Sequence, residues 1–150
     1  MQQILEQLQQ IGLVPVIKIE DPAQAEPLAK ALMAGGLPCA EVTFRTAGAA
    51  KAIRAMKAAC PDMLVGAGTV LTTDQADEAL EAGAQFIVSP GLNPVVVRHC
   101  VDIGVPVTPG CANPSDVERA IELGLEVVKF FPAQAAGGLP MIKSMAAPYG

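Results

Sequence analysis

Three glycines, Gly83, Gly104 and Gly124, recur 21 and 20 positions apart, and each closes a helical segment just ahead of a short apolar run. Spacing that regular marks a repeated supersecondary unit. The apolar runs are Val14–Ile19, Cys39–Phe44, Leu64–Val70, Phe86–Ser89, Val105–Thr108 and Val127–Phe131. Between them lie Asp21–Ala34, Thr46–Ala59, Thr73–Ala82, Pro94–Ile103 and Pro114–Leu123, rich in Ala, Leu and Glu with apolar residues three and four apart. Asp21-Pro22, Asn93-Pro94 and Asn113-Pro114 each set a capping side chain before a proline at the first helical position. The runs are almost continuously apolar rather than alternating, so both faces of each strand must be covered. Parallel strands with crossover helices achieve that.

Six such β/α units suit either an open doubly wound sheet or part of a (β/α)₈ TIM barrel. No G-x-G-x-x-G or G-x-x-x-x-G-K-[ST] follows the first run, which disfavours dinucleotide and P-loop readings and leaves the barrel as the expectation. Ahead of the first unit, Ile4, Leu5, Leu8 and Ile11 recur at helical spacing, with Gly12 as a stop. That segment lacks the basic and apolar regions of a secretory signal, and no apolar run approaches the length of a membrane span.

Composition narrows the partners. The 150 residues carry 15 acidic and 10 basic side chains, a net charge of −5, with 3% aromatics. No basic stripe or stacking platform for nucleic acid is present, although a local Arg/Lys cluster could still hold a small anion. Cys39, Cys60, Cys100 and Cys111 form no C-x-x-C and read as small buried hydrophobes in a reducing, cytoplasmic setting. His99, the sole histidine, stands beside Arg98 in a helical stretch and reads as a surface residue, which argues against a Ser-His-Asp triad.

Polar residues gather at the C-terminal ends of the runs, where both candidate folds place their chemistry: Glu41 with Arg45, Thr69, Ser89 with Pro90, Thr108 with Pro109, and Lys129. Lys129 stands between two valines and two phenylalanines. Packing there would strip water from an ammonium and favour the neutral amine that attacks carbonyls. A strand-end lysine reaching out to solvent explains the same segment. On a strand Glu41 shares a face with Thr43, a face that in a barrel is the interior, where a carboxylate needs a partner or a task. An ordinary Glu–Arg surface pair is the alternative. In Gly66-Ala67-Gly68-Thr69 the small residues allow close approach of backbone or ligand, and the hydroxyl can donate a hydrogen bond.

Five motifs occur in order: Val14-Pro15-Val16-Ile17, Glu41-Val42-Thr43-Phe44-Arg45-Thr46, Val65-Gly66-Ala67-Gly68-Thr69-Val70, Ser89-Pro90-Gly91 and Lys129-Phe130-Phe131-Pro132-Ala133. Together they resemble the 2-keto-3-deoxy-6-phosphogluconate aldolase family, including its 4-hydroxy-2-oxoglutarate aldolase activity. The resemblance implies a cytoplasmic class I aldolase without metal or cofactor, usually a homotrimer, acting on a small 2-keto acid. It matches Lys129 to the Schiff-base lysine and Glu41 to the general acid/base. Arg45 and Thr69 match residues holding the pyruvate carboxylate, and Pro90 and Phe131 match residues lining the pocket. It also implies one barrel domain over residues 1–150 that lacks the last two β/α units, and with them the Gly-rich turns for the substrate's phosphate. A keto-deoxy-phosphogalactonate aldolase, or a non-catalytic oligomer-forming remnant of the fold, remain alternatives.

Overall fold

The computed structural model describes residues 1–149. Each repeat seen in the sequence becomes a strand followed by a helix. The strands are β1 (Val16–Ile17), β2 (Cys39–Thr43), β3 (Leu64–Gly68), β4 (Ile87–Ser89), β5 (Val107–Cys111) and β6 (Lys129–Phe130). The helices are α1 (Gln2–Ile11), α2 (Ala25–Ala34, entered through a 3₁₀ turn at Pro22–Gln24), α3 (Ala49–Ala59), α4 (Thr73–Glu81), α5 (Pro94–Asp102), α6 (Pro114–Glu122) and α7 (Gly138–Tyr149). All pairings are parallel and the spatial order is β1-β2-β3-β4-β5-β6. A doubly wound sheet reverses its strand order at a switch point. A sheet that never reverses, with its helices on one side, is an arc of a barrel.

Local chemistry accounts for the punctuation. The side chains of Asp21, Asn93 and Asn113 accept from Ala23, Val95 and Asp116 backbone N–H groups, which satisfies donors left free at each helix start. Gly83, Gly104 and Gly124 have φ of 101°, 74° and 78°, the left-handed region that ends a helix and that side chains disfavour. Gly12 ends α1 in the same way, its N–H donating to the Leu8 carbonyl.

Register and pleat sort the side chains into two layers. One face carries Ala40, Val42, Val65, Ala67, Ile87 and Val107, buried with Ala25, Ala29, Ala52, Ala76 and Ala79 of the surrounding helices. Alanine there lets helix backbones lie close to the sheet. On the concave face Cys39, Leu64, Phe86 and Val88 pack with Ile4, Leu8 and Ile11 of α1. These residues sit at the N-terminal ends of β2, β3 and β4, so α1 plugs that end and the concavity opens at the strand C-termini. Gly66 makes the plug possible: a Cβ there would stand 2.3 Å from the Phe86 ring.

Several elements differ from expectation. β1 shrinks from Val14–Ile19 to two residues, and β6 from Val127–Phe131 to Lys129 and Phe130. β5 runs on through Pro109 to Cys111, beyond Thr108, because it changes neighbours at that point: Val107–Pro109 pair with β4, and Gly110–Cys111 pair with β6. A proline is tolerated where one ladder hands over to the next. α7, with no buried residue along it, carries too weak an amphipathic pattern to be foreseen. Of the cysteines, Cys39, Cys100 and Cys111 are buried, while Cys60 is half-buried at the end of α3, and all four are free.

Phe86 is 2% exposed, so Phe86→Ala is expected to cost about 3–5 kcal/mol in urea unfolding. Lys51→Ala, on the outer face of α3, should change stability by no more than about 0.5 kcal/mol.

Candidate active site

At the open end of the arc lies a cavity of about 630 Å³ lined by Val16, Glu41, Arg45, Thr69, Pro90, Lys129, Phe130, Phe131 and Ala133. All six residues singled out in the sequence meet there. They come from four strands or strand ends, β2, β3, β4 and β6, 88 positions apart from Glu41 to Lys129.

Glu41 enters from β2 on the concave face. Its register partners are Val16 on β1 and Gly66 on β3, and only 4% of the residue is exposed. Lys129 enters from β6, opposite Gly110 of β5. Its Nζ stands 3.7 Å from Glu41 Oε1, an ion pair slightly too long for a hydrogen bond. The same Nζ lies 5.3 Å from the centre of the Phe131 ring, within cation–π range. The lysine side chain is 30% exposed. The stripping of its water is therefore partial, because Val127 and Phe131 are themselves 44% and 41% exposed and β6 pairs on one side alone among the described residues.

Burial raises the Glu41 carboxyl above its usual pKa, and the charges of Lys129 and Arg45 only partly oppose it. The sign matters: desolvation wins over two nearby cations. A carboxyl held in that balance can accept and return a proton in one reaction cycle, the requirement of a general acid/base. Burial also lifts the Cys111 thiol to about 11. At neutral pH it stays protonated and is no competitor as a nucleophile.

Arg45 lies just past β2, exposed, presenting its guanidinium at the rim. Thr69 ends β3 with φ of 57°, the one non-glycine residue in the left-handed region among those described. For a β-branched side chain that conformation costs on the order of 1–3 kcal/mol. It turns the chain sharply at the cavity wall. Ser89 Oγ donates to the Gly91 carbonyl at 2.9 Å and ties the turn that carries Pro90. His99 lies away from the cavity, 2.6 Å from Asp77 across α4 and α5. No group of three His, Cys, Asp or Glu side chains converges as a metal set among the described residues, and no helix there is long and apolar enough to cross a membrane.

Val16, Phe130 and Ala133 line the cavity without having been singled out. Val16 was legible in principle, since its place in the first run pairs it with Glu41, but that register is a tertiary fact. The small size of Gly68 reads as room for backbone or a ligand, and the space it leaves is taken by the Glu41 side chain.

Residues 4–150 match the family described as KDPG and KHG aldolase. A 2-dehydro-3-deoxy-phosphogluconate aldolase of Treponema pallidum is 53% identical over 146 residues, covering 97% of this chain and 70% of that protein. The crystal structure of the 2-keto-3-deoxy-6-phosphogluconate aldolase of Zymomonas mobilis with 3-phosphoglycerate superposes with a TM-score of 0.87 at 50% identity, over 91% of this chain and 65% of that one. A KDPG aldolase from Legionella pneumophila, with pyruvate captured as a covalent carbinolamine, gives a TM-score of 0.86 at 42% identity, over 89% of this chain and 65% of that one. The chain thus spans about two thirds of the length of these solved relatives.

The raised carboxyl carries a stability consequence. Glu41 binds its proton more tightly folded than unfolded, so stability is greatest below the unfolded value of 4.5 and falls as pH rises through the folded one. Glu41→Gln should therefore unfold at higher urea than the parent at pH 7.5, and the difference should vanish near pH 4.

Proposed function

The chain belongs to the KDPG and KHG aldolase family, and from that premise we propose that it cleaves 2-keto-3-deoxy-6-phosphogluconate to pyruvate and glyceraldehyde 3-phosphate through an iminium on Lys129. The observation that carries the reading is the 3.7 Å approach of Lys129 Nζ to Glu41 Oε1 inside one cavity. The captured carbinolamine of the similar Legionella aldolase supports covalent chemistry on pyruvate in such a site.

The chemistry follows from the groups present. Arg45 takes the substrate carboxylate in a two-pronged grip, with the Thr69 hydroxyl as a further donor. Held so, the 2-keto carbon faces Lys129, and attack becomes effectively intramolecular. The amine adds to the carbonyl and water departs, leaving an iminium. That cation accepts the electron pair of the C3–C4 bond as Glu41 removes the proton of the C4 hydroxyl. An aldehyde leaves and an enamine of pyruvate remains. Glu41, now protonated, returns its proton to C3, and water releases pyruvate from Lys129. Pro90 and Phe131 shape the wall against which the enamine lies. Cleavage of 4-hydroxy-2-oxoglutarate needs the same steps and fits the same groups.

The reading extends to a cytoplasmic homotrimer. Leu71 and Val95 are 52% and 67% exposed, the Asn93 side chain two residues before Val95 donates to the Leu71 carbonyl, and these two apolar side chains are available to a second copy. Sedimentation should give three chains, and Leu71→Lys with Val95→Lys should shift the mass toward one.

Borohydride reduction with pyruvate is expected to fix one pyruvate on Lys129, read by peptide mass. Lys129→Ala should abolish the adduct with the circular dichroism unchanged. Glu41→Gln should keep the adduct while cleavage falls by about 10²–10⁴. A folded parent chain that gives no adduct overturns the reading in favour of a non-catalytic member of the fold.

A further inference from the structure

Resting on that reading, we infer that Gly68 is a positioning residue: the missing side chain at the end of β3 is the space in which the Glu41 carboxylate sits to face Lys129. A Cβ at Gly68 would lie 1.9 Å from Glu41 Oε1, 2.6 Å from its Cδ and 2.7 Å from its Cγ. All three of its nearest neighbours belong to that one side chain. Backbone conformation does not demand glycine here, since Gly68 has no positive φ and lies in an ordinary strand paired with Thr43. Space is the whole of its role.

The geometry explains why a carboxylate on β2 can serve a lysine on β6. Glu41 is in register with Gly66, one pleat below Gly68 on the same face. Its side chain leans along the strand direction, as strand side chains do, and comes to rest over β3. Any residue with a Cβ at position 68 fills that place. The two concave-face glycines of β3 thereby divide the work. Gly66 admits a rigid ring, Phe86, and its loss threatens the fold. Gly68 admits the far end of a flexible side chain, which yields by swinging away. The lesion at Gly68 is thus one of aim, with the fold retained.

The test separates the work of Lys129 from that of Glu41. End-point borohydride trapping of pyruvate reports the lysine. Exchange of pyruvate methyl protons into deuterated water, followed by NMR, reports the base acting on the trapped iminium. In Gly68→Ala the trapping yield should stay within about twofold of the parent while exchange slows by at least about tenfold, the scale of a carboxylate displaced by an ångström. Exchange held within twofold overturns the inference, and so does an equal loss of trapping and exchange. A melting-temperature cycle adds a readout independent of activity. Gly68→Ala should lower the melting temperature in the parent and do so far less in a Glu41→Ala background, where the carboxylate is gone. If Gly68→Ala alone fails to fold, folding of Gly68→Ala with Glu41→Ala upholds the inference, and failure of both overturns it. A parent chain with neither trapping nor exchange removes the aldolase reading, and the melting cycle still decides the role of Gly68.

Discussion

Curvature of the sheet is the constraint on which the site depends. β2 and β6 are four strand spacings apart in the spatial order, and in a flat sheet their axes would stand about 19 Å apart. A glutamate and a lysine cannot reach across that gap. Bent into an arc, the sheet turns both side chains into one concavity, where Nζ and Oε1 come to 3.7 Å. The twist of parallel strands and the uniform placing of helices on one face produce the bend. Parallel pairing throughout brings the C-terminal ends of all six strands to the same mouth.

The concave face is packed from two directions. Its lower half is a dry plug, in which Phe86 fills the place above Gly66 and α1 closes the end with Ile4, Leu8 and Ile11. Its upper half is polar and open, and it carries groups that a core would reject. Glu41 is kept there although burial disfavours its charge, and Thr69 although its backbone conformation is strained. Both are costs in stability, carried at positions that the proposed aldol chemistry would use, the usual trade of a functional site. The helical surround, with its small alanines against the outer face of the sheet, offsets them.

Reading the glycines in Gly66-Ala67-Gly68 as room for backbone or a ligand is reasonable and incomplete. Small residues on one face of a strand do allow close approach, but the approaching atoms come from the neighbouring strands of the protein itself. Position by position, the glycines specify what stands over β3: an aromatic ring from the residue just before β4 at one level, a carboxylate from β2 at the next. Gly110 does the same on β5, where a Cβ would meet the Pro90 carbonyl at 2.1 Å. The turn carrying Pro90 can therefore lie against β5 beside the Lys129 position.

Much of the framework was legible in the amino-acid order because the signals are local. Asn93, Asn113 and Asp21 cap helices through atoms two or three residues away, and Gly83, Gly104 and Gly124 end them through their own φ angles. The identities of Lys129, Glu41, Arg45, Thr69, Pro90 and Phe131 were legible too, through five motifs in order. Three features were not. The length of β5 depends on a change of neighbour at Pro109. α7 has too little buried surface to impose a pattern, and the partial exposure of Lys129 depends on which strands flank it. By itself the sequence determined the alternating units, their boundaries at caps and glycines, and the chemical types available. Tertiary structure alone decided that the sheet curls without reversing, so that residues 88 positions apart share one cavity. Register and curvature are set by contacts between distant segments, and no local run of residues contains them.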